Sequence, residues 1–178
     1  MRKLVVTSVV LFVLVSLGAA QESAPAFDVF GGYSFLNPED SGFNANGWEA
    51  AGTAYLNNWF GATADFSGHY ASESGVDTST YSFLFGPTVA YRTPKLTPYA
   101  HILLGANRTR VSTSIFGASL SVTDTAFASA LGGGVDWHVG NSWSVRLAQA
   151  DYLITRFNDN RQDNFRFSAG LVLRLGSK

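Results

Sequence analysis

The sequence predicts an all-β fold: eight antiparallel strands closed in up-and-down order into a single barrel. Three observations carry this expectation. Apolar and aromatic residues recur at every second position, the strand period, rather than every three or four. Eight such stretches follow one another between Phe27 and Leu175. The connections between them alternate between short turns and longer polar segments.

The first strand opens at Phe27. Phe27, Val29, Gly31, Tyr33 and Phe35 take one phase, and Asp28, Phe30, Gly32 and Ser34 the other. The second sets Trp48, Ala50, Gly52, Ala54 and Leu56 against Glu49, Ala51, Thr53 and Tyr55. In the third, Phe60, Ala62, Ala64, Phe66 and Tyr70 oppose Gly61, Thr63, Asp65, Ser67 and His69. The fourth alternates Tyr81, Phe83, Phe85, Pro87, Val89 and Tyr91 with Ser82, Leu84, Gly86, Thr88, Ala90 and Arg92. A fifth, near 97–110, alternates less cleanly. The sixth pairs a phase of Phe127, Leu131, Val135 and Trp137 with one of Ala128, Ala130, Gly132, Gly134 and Asp136. In the seventh, from Trp143 to about Thr155, Arg146 is even while Gln149 and Asp151 are odd, and such a phase slip implies a β-bulge. The eighth alternates Phe165, Phe167, Ala169, Leu171, Leu173 and Leu175 with Asn164, Arg166, Ser168, Gly170, Val172 and Arg174.

Short turns are expected at Asn57-Asn58, Thr93-Pro94-Lys95 and Gly140-Asn141. Longer polar loops are expected at Asn37 to Gly47, Ala71 to Thr78, Val111 to Thr123 and Arg156 to Asp163. Short turns at one end and long loops at the other are the asymmetry of a transmembrane barrel.

Composition narrows the class further. The chain has 178 residues, of which 14% are charged, against about 25% in ordinary soluble proteins. Twelve cationic residues against 13 acidic ones, with no basic run, exclude a reader of nucleic acid. The absence of Cys excludes disulfide scaffolds, thiolate metal sites and thiol catalysis. Arg2 and Lys3, an apolar stretch from Leu4 to Leu17 and then Gly18-Ala19-Ala20 form a secretory signal pattern. The expected layout is a cleaved signal over residues 1–20 and one barrel domain over 21–178. Loss of the signal removes two cations and no acid, so the exported chain is mildly acidic.

Volume decides which phase points inward. An eight-stranded barrel has an interior just wide enough to be filled by side chains. Fourteen rings, among them Phe83, Phe85 and Phe167, share the apolar phase and would overpack it. The other phase, mostly Gly, Ala, Ser and Thr with a few charges, suits a narrow lumen. The rings therefore face lipid. They also gather near both strand ends, with Phe27, Phe60, Tyr91, Trp137 and Trp143 at the short-turn end and Tyr33, Phe35, Trp48, Tyr70, Tyr81, Phe127 and Phe165 at the other. Amphipathic rings form two such belts at membrane interfaces.

Over essentially all of Phe27 to Leu175 the chain resembles the eight-stranded outer-membrane barrels typified by the OmpA transmembrane domain and OmpX. The segments carrying this are Phe27-Asp28-Val29-Phe30-Gly31-Gly32-Tyr33-Ser34 and Pro98-Tyr99-Ala100-His101-Ile102-Leu103-Leu104-Gly105, with a closing strand similar to the family's assembly signal at Ser168, Gly170, Leu173 and Leu175. Leu175 replaces the usual terminal Phe, and no peptidoglycan-binding domain is expected after the barrel. The resemblance implies a Gram-negative outer membrane, lipid and lipopolysaccharide as surroundings, and the barrel assembly machinery as a partner reading the last strand. A monomer without cofactor is expected, and no spacing of His or carboxylate residues offers a metal site.

Lumen-phase charges are the candidate site: Asp28, Glu49, Asp65, Asp136, Arg146, Asp151, Arg166 and Arg174. Isolated charges in a narrow interior are costly and should pair. Expected pairs are Asp28 with Arg174, Asp136 with Arg146, and Asp151 with Arg166. The main reading is a structural plug in a barrel with a structural or surface-contact role. A narrow ion-conducting pore is the alternative, followed by a soluble periplasmic ligand-binding barrel. Enzymatic chemistry is disfavoured. Asp65, Ser67 and His69 share a phase, but residues two apart on a strand stand about 7 Å apart, too far for a hydrogen-bonded catalytic relay. Gly132-Gly133-Gly134 lies inside a strand rather than before a helix, so it does not read as a phosphate loop.

Overall fold

The computed structural model describes residues 26–38, 44–73, 76–115, 118–157 and 160–176. The expected signal segment lies outside them. Eight strands follow in chain order: β1 (Phe27–Pro38), β2 (Ala45–Tyr55), β3 (Phe60–Glu73), β4 (Val76–Ala90), β5 (Leu96–Ile115), β6 (Ala118–His138), β7 (Trp143–Phe157) and β8 (Asn160–Leu175). Each pairs antiparallel with the next, and β8 returns to β1, closing the barrel. Closure leaves no edge of unpaired N–H and C=O groups, which is what lets β structure exist in hydrocarbon.

The bulge falls where the phase slip placed it. Val135 pairs with Ala148 but Asp136 pairs with Arg146, and the β7–β8 ladder jumps between Arg146 and Gln149. Leu147 and Ala148 both face outward, so Arg146, Gln149 and Asp151 all reach the interior. A strand without this extra residue would turn Gln149 and Asp151 toward the apolar surround.

Phe83, Phe85 and Phe167 are 50%, 57% and 47% exposed, on the outer surface of the barrel. The outer face is held together by cross-strand contacts between rings. Phe66 and Phe83 stack with centroids 4.6 Å apart, and Tyr70 meets Tyr81 edge-on at 5.9 Å. The Trp48 indole lies over Gly68, where a Cβ would stand 2.9 Å from its Nε1.

The interior is less uniformly small than the sequence implied. Leu84, Leu103 and Leu153 are fully buried and pack with Leu36, Ala128 and Ala130. Phe30 also points inward. The run Ile102-Leu103-Leu104 explains why β5 alternates poorly, since Leu103 faces this inner layer while its neighbours face out.

Three of the expected long loops are largely strand. β5 and β6 stay in register as far as Ile115 opposite Ala118, and β3–β4 and β7–β8 extend to Glu73 opposite Val76 and Phe157 opposite Asn160. Only Asn37 to Gly47 keeps a longer gap between strands, from Pro38 to Ala45. Above the apolar band both faces of a hairpin meet water, so the two-residue hydrophobic period disappears while the ladder continues. Val, Ser and Thr at 111–114 are compatible with that extended backbone. The β5–β6 hairpin runs from Arg108 to Ile115, about 24 Å at roughly 3.4 Å per residue.

Phe85 lies on β4 between Tyr81 and the Tyr91 that follows the strand, near the centre of the apolar band. Phe85→Arg is expected to lower stability in phospholipid by about 2–4 kcal/mol, measured as urea unfolding of the refolded chain. Val76→Arg, on the hairpin above the band, should change it by no more than about 0.5 kcal/mol.

Candidate functional site

Glu49, Asp65, Asp136, Arg146, Asp151 and Arg166 form one continuous polar plug built around Arg166. This side chain is fully buried on β8, and its five N–H groups all find acceptors. Nε and Nη2 donate to Asp151 Oδ2 at 2.9 and 2.7 Å. Nη1 and Nη2 donate to the two Asp65 oxygens at 2.8 and 3.2 Å, and Nη1 also reaches Ser67 Oγ at 3.1 Å. Glu49 stands 3.5 Å from Nε. The fork of a guanidinium matches paired carboxylates in a way a point charge does not.

Gln149 links this centre to a second arginine. Its amide nitrogen donates to Glu49 Oε1 and Asp151 Oδ2 at 2.8 and 2.7 Å. Its amide oxygen accepts from Arg146 Nη1 and the Tyr99 hydroxyl at 2.7 and 2.6 Å. Arg146 also clasps Asp136 through two bonds, and its guanidinium sits between the rings of Phe30 and Tyr99 at 4.1 and 4.5 Å. His101 Nε2 completes the set against Asp151 Oδ1 at 2.7 Å. Gly132 makes room for it, since a Cβ there would lie 2.0 Å from Asp151 Oδ1. The glycine run in β6 thus marks a close approach of side chains. Beside the plug, between Glu49, Asp65, Tyr99 and Arg146, a space of about 10 Å³ remains, room for no more than about one water.

Of the expected pairs, the structure brings together Asp136 with Arg146 and Asp151 with Arg166. It does not join Asp28 to Arg174, although the two are register partners. Asp28 instead faces Arg92 at 3.6 Å, and Arg92 lies over the Tyr55 ring at 4.2 Å. Arg174 sits at the rim, where unpaired turn carbonyls compete for it, and donates to the oxygens of Gly140 and Asn141 at 2.7 and 3.2 Å. Glu49 and Asp65, left without a named partner by the sequence, both gather on Arg166. Gln149, Tyr99, His101 and Arg92 were not singled out as members; the inward parity of Gln149 beside Arg146 was the available signal.

The His residues hold no Ser–His–acid relay. His69 Nε2 meets Ser34 Oγ at 2.9 Å, whereas Ser67 and Asp65 are held by Arg166. His138 Nε2 meets Thr97 at 2.9 Å, and Asp136 belongs to Arg146. Among the described residues no group of three His, Asp or Glu is arranged to hold a metal ion. Above the plug, toward the long-connection end, lies a cavity of about 210 Å³ with His69 in its lining.

Arg166→Met strands Asp65 and Asp151 in the interior and is expected to cost about 3–5 kcal/mol in urea unfolding. Adding Asp65→Asn and Asp151→Asn to that variant should restore most of the loss. Arg174→Met, at the wet rim, should cost no more than about 1 kcal/mol.

The chain is similar to known proteins in this same architecture. It shares 21% identity with the attachment invasion locus protein Ail of Yersinia pestis, with a TM-score of 0.62 over 84% of this chain and 99% of that one. Neisserial surface protein A gives 18% identity and a TM-score of 0.64, covering 86% and 100%. The N-terminal barrel domain of Pseudomonas aeruginosa OprF gives 10% and 0.51, covering 85% and 100%. No curated protein matches by sequence. The family model for the outer membrane protein beta-barrel domain matches residues 7–173. An eight-stranded closed barrel, ringed by outward aromatics and matched by that model over nearly its whole length, belongs to the outer membrane protein β-barrel family.

Proposed function

We propose that this integral outer-membrane barrel is a sealed anchor that presents its long hairpins for contact outside the cell, rather than a pore or an enzyme. The observation that carries the reading is the plug. Arg166 has every donor engaged in the middle of the lumen, and the space beside it admits about one water. A conducting path would have to break several charge-assisted bonds at once, each left unpaired in a low-dielectric interior.

Contact is the role best matched by what stands outside. The β5–β6 hairpin extends past the aromatic belt, with Val111 and Val122 as exposed register partners on its lumen-phase face. Loops and hairpins on a rigid scaffold commonly carry binding. Attachment and invasion appear in the name of Ail itself, a property of that protein, and its shared architecture lends support to a surface role here. Outward Arg108, Arg110 and Arg156 lie at the upper edge of the apolar band, where lipopolysaccharide phosphates would complement them. The working form is a monomer whose signal is removed after Ala20, inserted by the assembly machinery through β8. The polar plug is its structural core.

Planar-bilayer recording of the refolded chain is expected to show no unitary conductance; regular steps from the wild-type protein would overturn the sealed reading. Replacing residues 112–121 by Asn-Gly joins Val111 to Val122 through a two-residue hairpin turn. That variant should keep heat-modifiable migration and outer-membrane fractionation. It should lower attachment of expressing cells to a solid surface, and unchanged attachment would overturn the contact role of this hairpin.

A further inference from the structure

The cavity above the plug has a built floor. His69 is 1% exposed and lines it, and its Nδ1 has no hydrogen-bond partner among the described residues. Its Nε2 belongs to a chain of short contacts that runs into the plug. His69 Nε2 meets Ser34 Oγ at 2.9 Å, Ser34 Oγ meets Ser168 Oγ at 2.9 Å, and Ser168 Oγ meets Glu49 Oε2 at 2.5 Å.

Proton counting orders this chain. The Glu49 carboxylate already accepts from Gln149 and faces Arg166, so it also accepts from Ser168. Ser168 Oγ is placed to donate to both Ser34 and Glu49 but has one hydroxyl hydrogen; the shorter contact to the carboxylate takes it, which leaves the Ser34 hydroxyl to donate to Ser168. Ser34 has then used its own and must accept from His69 Nε2–H. One hydrogen in every contact leaves His69 as the Nε2–H tautomer, with a bare lone pair on Nδ1. A buried acceptor of this kind calls for a donor.

The rest of the cavity specifies what kind of donor. Thr80, Thr109, Asn107 and Asn164 supply hydroxyls and amides, while Leu36 and Leu153 supply an apolar side. No Lys, Arg, Asp or Glu lines it among the described residues. A charged ligand would thus lose its hydration with no counter-charge in return. The volume of about 210 Å³ corresponds to roughly seven waters at about 30 Å³ each, which is the scale of one sugar ring.

We propose that this cavity is a binding site for a neutral, hydroxyl-bearing group of about one sugar ring, in which a ligand hydroxyl donates to His69 Nδ1. The neighbouring threonines and asparagines take the remaining hydroxyls, and the leucines take its C–H face. The group belongs either to a free sugar or to the glycan of a lipid in the same membrane.

The test uses the full mature chain, refolded in phospholipid nanodiscs with ¹⁵N-labelled histidine. His69 resonances are assigned by their loss in His69→Phe. The imidazole spectrum is expected to show an Nε2–H, bare-Nδ1 ring, and Ser34→Ala should erase that preference. Methyl glucoside should then shift the Nδ1 resonance saturably, and glucose 1-phosphate should bind at least about tenfold more weakly. Thr109→Val, which leaves the plug intact, should weaken the glucoside by about threefold to tenfold, the worth of one hydrogen bond. Lipopolysaccharide added to the nanodiscs separates the two sources. If its glycan is the occupant, it produces the Nδ1 shift alone and blocks the glucoside; if not, the glucoside titration is unchanged, and either result is compatible with the site. An Nδ1–H tautomer, equal binding of the phosphate, or no saturable shift from either sugar source would overturn the proposal and leave a water-filled vestibule.

Discussion

A guanidinium in the middle of a narrow lumen has to find an acceptor for each of its five N–H groups, and the rest of the interior is arranged around that demand. Arg166 obtains them from Asp65 on β3, Asp151 on β7 and Ser67 on β3, so three strands are tied across the axis rather than along the wall. Two backbone features make this possible. The bulge at Leu147 and Ala148 brings Asp151 inward in step with Arg146, and Gly132 leaves the space that the Asp151 carboxylate occupies. Without either, a buried carboxylate would be misplaced or excluded, and the arginine would lose acceptors it cannot replace from solvent.

The same constraint reaches the vestibule. Glu49 is shared between Arg166, Gln149 and Ser168, and the hydroxyl relay through Ser34 ends at His69. An electrostatic requirement at the centre therefore sets the tautomer of a histidine lining a cavity on one side of it. Polar networks of this kind are cooperative, because each acceptor fixes the orientation of the next donor. The contacts around Arg146 extend the network in the other direction, toward Asp136 and the short-turn end.

Much of this was legible from parity alone. Strand count, closure order, the outward rings and the slip in β7 follow from which residues share an odd or even phase, since a side chain in a barrel has only two directions to take. Parity says nothing about distance across the lumen. Asp28 and Arg174 lie opposite each other on neighbouring strands, as sequence order implies, but Arg92 reaches Asp28 from the far hairpin and the turn carbonyls of Gly140 and Asn141 hold Arg174. Glu49 meets Arg166 through the axis, a relation that no local spacing records. The upper ends of β5 and β6 escaped for a different reason. Once both faces of a hairpin are wet, Ser and Thr appear in both phases, and a strand looks like a loop although its ladder is unbroken.

Stability alone does not account for ions in such an interior, because buried ion pairs are often no better than well-packed apolar residues. Two other demands favour them. A strand slipped by one residue would put its aromatic phase into the lumen, and a lumen of uniform leucines would penalise that exchange less than one in which Arg166, Asp65 and Asp151 must meet. Register is thus enforced by charge. Alternating polar positions also keep the apolar runs short: Phe165, Phe167 and Leu171 are separated by Arg166, Ser168 and Gly170, so β8 never presents the roughly 20 consecutive apolar residues of a membrane-spanning helix. An exported chain must cross one membrane without stopping there before it folds into another. The inward polar phase lets the unfolded strand pass as a polar segment, and closure then hides that phase and turns the rings outward into lipid.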